Sequence, residues 1–169
     1  MAIQFNINPQ KAIEVVLWVI QKGESNVYNV MKILYAAEKY HLNKFGRPVT
    51  GDRYVAMEYG TVPSWIYNAT NLKRSGLGFV RNDNTLTAER ACDTNYLSES
   101  DIEALENGFA AYAGKTFQEV LNKNHAEIAW QRAYEKRGNN NAVDIAFEDM
   151  IEEKWLIEEL TQLAPNLVI

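Results

Sequence analysis

A chain of 169 residues has the size of one ordinary domain, and 47% hydrophobic with 23% charged residues is a globular composition, neither disordered nor membrane-like. The net charge of −5 argues against nucleic-acid binding, which draws its affinity from Lys and Arg neutralising phosphates. The single cysteine, Cys92, excludes an internal disulfide and a multi-cysteine metal site and fits a reducing compartment.

The longest apolar run, Val15 to Ile20, is far below the roughly 18 residues of a membrane span. The start of the chain lacks the basic stretch and small-residue cleavage site of a secretion signal, so a cytoplasmic protein is expected. Charge is polarised along the chain. Between Lys32 and Arg53 five basic residues face only Glu38 and Asp52, whereas between Asp144 and Glu159 seven acidic residues face only Lys154.

In chain order, Pro9 to Gln21 reads as a helix with an apolar stripe at Ile13, Val16, Leu17 and Ile20, entered at Pro9 and ended by Gly23. Ser25 or Asn26 caps a second helix running to about Asn43, with Val27, Val30, Met31, Leu34 and Leu42 on one face and Lys44 and Gly46 as stop signals. Gly46-Arg47-Pro48 and Thr50-Gly51-Asp52 are turn sequences, and Arg53 to Tyr59 is too short to assign before Gly60 breaks it. Pro63 then leads a short helix through Trp65, Ile66 and Leu72 to Gly76, followed by a small β-hairpin, Phe79 to Arg81 and Thr85 to Glu89.

The remainder reads as helical. Ser100-x-x-Glu103 and Thr116-x-x-Glu119 are capping boxes, the first opening a helix with Ile102, Leu105, Phe109 and Tyr112 inward. Asn124 with Glu127 marks a third start, and Gly138 to Asn141 is a loop. A last amphipathic helix, Asp144 to Gln162, carries Phe147, Met150, Ile151, Ile157 and Leu160. With no internal repeat or linker, the expected architecture is one compact α+β domain over residues 1–169, predominantly α-helical with a small β-hairpin.

Catalytic signatures are lacking: there is no nucleophile elbow, P-loop, dinucleotide fingerprint or His-Glu-x-x-His motif. The best metal case is Glu38 with His41, one helical turn apart, joined by Asp52 or Glu58. Catalytic zinc sites usually supply three protein ligands and only two are placed here, and a histidine in a helix's last turn is explained by the free carbonyls there. His125 follows a helix start and reads as structural. Cys92 has no histidine close in sequence to activate it. The reading is therefore no enzyme, no metal and no cofactor, with a metal-dependent enzyme using Glu38, His41 and Asp52 as the alternative from another class.

Trp18, Trp65, Trp130 and Trp155 are expected mainly in the core. Tyr59, Trp65 and Tyr67 flank a Gly- and Pro-rich turn, and rigid aromatics on a turn are typical interface anchors. Arg53 and Glu58 complete the candidate partner-binding set. The acidic final helix offers a second docking surface, for a basic partner.

The segment Lys32-Ile-Leu-Tyr-Ala-Ala-Glu-Lys-Tyr-His41, then Phe45-Gly-Arg-Pro-Val-Thr-Gly-Asp-Arg-Tyr-Val-Ala-Met-Glu-Tyr-Gly-Thr-Val-Pro-Ser64, resembles the SocA-like antitoxin family, also called the Panacea domain. Thr61 stands where that family usually has proline, and Glu38 where it has Asp. The resemblance implies a bacterial or phage (prophage) antitoxin that binds a toxin encoded beside it. One branch resembles a proteolytic adaptor that hands its toxin to an AAA+ protease, which is the alternative function. No direct nucleic-acid partner and no membrane span are expected, and a homo-oligomer is left open.

Within this signature Tyr35, His41, Gly46, Pro48, Gly51, Asp52, Gly60 and Pro63 read as framework. The glycines hold turns that a side chain would strain. Asp52 is expected to bond back onto its own turn, and Arg53 to pair with Glu58 or Asp52.

Overall fold

The computed structural model describes residues 2–72 and 76–169. Its centre is α2, Val27–Phe45, capped by the Asn26 side chain on the Asn29 amide and closed by left-handed Gly46, whose N–H returns to the Leu42 carbonyl. Val27, Val30, Met31, Ile33, Leu34 and Ala37 of α2 enter one hydrophobic cluster, whereas Tyr35 and Leu42 enter a second. One helix thus serves two cores, which explains why it is buried almost all round.

The first core is closed by α1, Pro9–Lys22, and α4, Glu99–Tyr112. On α1 the buried face is centred on Ala12, Val15, Val16 and Val19, while the expected stripe members Ile13 and Ile20 are only half-buried. On α4, Leu105 and Tyr112 are buried as expected, and Ile102 and Phe109 are half-exposed. Gly108 allows α4 to lie against α2, since a Cβ there would run into the Ile33 carbonyl. The capping box of α4 is Ser98 with Asp101, two residues before the expected pair. Its acidic partner is Asp101, whose carboxylate is held inward by Lys11 at 2.9 Å and Arg47 at 3.1 Å.

The stretch with no assigned structure is a β-hairpin: β1, Tyr54–Met57, pairs antiparallel with β2, Gly60–Pro63. A third strand, β5, Val143–Asp144, pairs with the other edge of β1, giving the order β2-β1-β5. Two-residue strands carry too little pattern to be read from sequence, and their partner lies about ninety residues away. After β2 comes α3, Ser64–Asn71, with Pro63 as its N-cap. The last part of the expected helix, residues 73–75, lies outside the described residues. The expected hairpin is present as β3, Phe79–Asn82, and β4, Thr85–Ala88.

Thr116 and Glu119 do form a capping box, opening α5, Phe117–His125. The expected third start does not form, because Asn124 is buried in α5 and turned to β2, and α6, Ile128–Glu135, starts at Glu127 with no side-chain cap. The expected long final helix is broken. A 3₁₀ turn, Phe147–Met150, runs into extended Ile151–Glu153 before α7, Lys154–Leu163. This path lets Phe147, Met150, Ile151, Leu156 and Leu160 all reach the second core beside Ile3 and Tyr54. Trp155 is left outward, 61% exposed, against the expectation that it is core. The fold is α+β and predominantly helical. No helix among the described residues is long and apolar enough to cross a membrane.

Candidate functional site

Most of the signature is framework, and its polar residues hold it together. Glu38 is fully buried and accepts hydrogen bonds from the Val49, Thr50 and Gly51 amides at 2.9, 3.2 and 3.0 Å, fastening the turn that follows α2. Burial nevertheless pushes its carboxyl up to about 7, against the pull of those three amides. Asp52 bonds within its own turn through its amide, which donates to Thr50 Oγ1 at 3.2 Å, but its carboxylate also reaches across to accept from the Trp65 and Ile66 amides at 2.9 and 3.1 Å and caps α3. The reason is that α3 begins with Pro63 at its cap position, which offers no side-chain acceptor.

His41 donates from Nδ1 to the Arg47 carbonyl at 2.7 Å, and its Nε2 accepts from the Ser100 hydroxyl at 2.9 Å. Burial lowers its basicity, which suits a neutral ring. Glu38, His41 and Asp52 therefore each spend their lone pairs on the fold. Among the described residues no group of three or more His, Cys, Asp or Glu is placed to hold a metal. Cys92 donates to the Glu14 carbonyl, and burial pushes its thiol up to about 11, the opposite of what activates a nucleophile.

The hairpin turn between β1 and β2 is held very differently. Its backbone is tied at four places by side chains from three helices. The Trp130 indole donates to the Met57 carbonyl at 2.9 Å, His125 Nε2 donates to the Glu58 carbonyl at 2.9 Å, and the Tyr28 hydroxyl donates to the Tyr59 carbonyl at 2.8 Å. Asn124 Oδ1 accepts from the Thr61 amide at 2.7 Å. Gly60, at φ +119°, has to be glycine, because a Cβ would meet Asn124 Oδ1 and, at 2.8 Å, Lys32 Cε. The turn is a rigid platform on which Glu58 and Tyr59 are exposed.

Beside this platform lies a groove of two joined chambers, about 640 and about 510 Å³, which share Tyr28, Lys32, Tyr59, Val62 and Tyr67. Of the sequence-derived docking residues, Tyr59 and Tyr67 line both chambers and Glu58 lines the larger. The other two lie elsewhere. Trp65 is half-buried against the first core, and Arg53 pairs with neither Glu58 nor Asp52. It points to the outer edge of the sheet, 3.4 Å from Asp144 of β5, with both side chains largely exposed.

Sequence reasoning missed Lys32, Tyr28, Tyr134 and Arg137. Lys32 is only 1% exposed, and its ammonium lies 4.4 Å from the centroid of the Tyr28 ring. It has no hydrogen bond and no carboxylate partner among the described residues, and burial lowers its pKa to about 7. Arg137 stacks on Tyr134, 3.9 Å from the ring centroid. One signal for Lys32 was present in the sequence: it interrupts the run Val30-Met31-Lys32-Ile33-Leu34 with no acidic residue three or four positions away.

The family model for the antitoxin SocA-like, Panacea domain matches residues 30–131. The chain belongs to this family. No curated protein and no solved structure matches it. The matched Panacea region includes Lys32, the whole β1–β2 hairpin, Tyr67 and the Trp130 anchor. Tyr28, Tyr134 and Arg137 of the groove lie just outside it.

Proposed function

We propose that this protein is an antitoxin that neutralises a toxin encoded beside it by direct contact, not by catalysis, and that the β1–β2 platform with its groove is the contact face. The family membership supports the role, and the four-point anchoring of residues 57–61 supports the location. A turn already fixed in one conformation loses little entropy when a partner docks, so its exposed Tyr59 contributes affinity with small ordering cost.

The test is co-expression with the adjacent gene. Growth should stop when the neighbour is expressed alone and recover when this chain is added. Tyr59→Ala should abolish the recovery while leaving the melting temperature within a few degrees, since the ring is 54% exposed. A neighbour that is harmless alone, or equally toxic with this chain present, sinks the reading. Measuring the neighbour's half-life in the same cells separates complex formation, where it is unchanged or longer, from delivery to an AAA+ protease, where it falls.

A further inference from the structure

Resting on that reading, we propose that the groove accepts an acidic segment of the partner protein, with one of its carboxylates seated on the buried Lys32 ammonium. Three features of the groove carry this.

The first is charge without compensation. Lys32 and Arg137 line the larger chamber, Lys32, Arg81 and Lys115 the smaller. None of these four makes an ion pair among the described residues, although the chain as a whole is acidic. The cavity further along α2 makes a partial contrast, since its Lys123 donates only to the Ala111 carbonyl. There Lys39 pairs with Glu127 at 2.8 Å and Lys44 with Glu103 at 2.9 Å. The acidic side chain on the groove wall is Glu58, exposed at its rim.

The second is Lys32 itself. A lysine this deeply buried without a counter-charge is costly, and a carboxylate entering beside it offsets part of that cost. Lys32 lines both chambers, with its ammonium over the Tyr28 ring that also lines both.

The third is what the aromatic walls leave available. Tyr28 has the Lys32 ammonium against its ring and Phe117 at 4.9 Å; Tyr134 stacks with Trp130 at 4.6 Å and carries Arg137. Beside these occupied rings the lining offers cations and the amides of Asn140 and Asn141, which suit carboxylates, while Tyr59 and Tyr67 supply the apolar walls. Two joined chambers fit an extended chain with several carboxylates better than one small anion.

Fluorescence anisotropy on the full chain tests this with three probes: a fluorescein-labelled peptide of alternating Glu and Gly, its Gln–Gly counterpart, and labelled ATP. The Glu peptide should bind in a salt-sensitive manner and the other two should not. Lys32→Met should weaken it roughly tenfold or more, and so, separately, should the surface set Arg81→Gln, Lys115→Gln and Arg137→Gln. The inference is overturned if the Glu and Gln peptides behave alike, if ATP binds better, or if both variants keep full affinity. A chain that protects cells from its neighbour yet ignores the Glu peptide removes this inference and leaves the antitoxin role standing. One that binds the Glu peptide but gives no protection does the reverse.

Discussion

Lys32 works against the stability of the fold that contains it. Unfolded, it holds its proton to about 10.5; folded, burial makes it release the proton near 7. Between those values the unfolded chain binds more protons, so stability climbs as pH rises across that window, and at pH 7 and below nearly the full cost is present. Lys32→Met keeps the length and removes the charge. It should stabilise the free protein by roughly 2–4 kcal/mol at pH 7, with the gain fading towards pH 10.5. Urea melts of both proteins at the two pH values check this; equal stabilities at pH 7 would show that the lysine is not under strain. A buried lysine compensated inside the fold only by the Tyr28 ring, with no ion pair among the described residues, is the pattern of a functional site. Gly60 shows the same site from the structural side, since its positive φ, and the Asn124 Oδ1 and Lys32 Cε atoms that a Cβ would meet, leave no room for another residue.

At the scale of elements, ends were legible where a local side chain makes them and obscure where a distant one does. Asn8, Asn26 and Thr116 cap the helix that follows them, and the sequence places those three starts within a residue or two. The cap of α3 comes from Asp52, thirteen residues before Trp65, so no local pattern announces it. Asp52→Ala should cost about 1–2 kcal/mol, and Asp52→Asn less, because an amide oxygen still accepts one of the two N–H groups. Equilibrium unfolding in urea measures both, and an Ala variant as stable as the parent would remove Asp52 from this role. Strands β1, β2 and β5 were not assigned for a related reason. Strands β3 and β4, equally short, flank the turn signal Asp83-Asn84, whereas β1 and β2 flank Glu58-Tyr59, which is no turn signal, and β5 has only two residues. The acidic stretch from residue 144 to 159 carries helical spacing, yet the second core draws Phe147, Met150, Ile151 and Leu156 inward together, which one straight helix could not do.

At the scale of the molecule, α2 ties the two cores into one unit. The chain should therefore unfold in a single transition, coincident by tryptophan fluorescence and far-ultraviolet circular dichroism, and two separated transitions would break the one-domain expectation. Residues 30–131 expressed alone should fail to fold, because α1 fills the first core and residues 145–164 fill the second. By itself the sequence determined the helical class, the family signature, the absence of catalytic motifs and which turns need glycine, since each is written in local spacing and residue type. The framework reading of the signature was also legible there; only the tertiary structure decided which partners its polar residues hold and that Tyr59 and Tyr67 share a groove with a lysine that has no ion pair among the described residues. Charge pairing and burial depend on which distant side chains meet, and Lys32 is distinguished from its ion-paired neighbours Lys39 and Lys44 by what folding fails to bring to it.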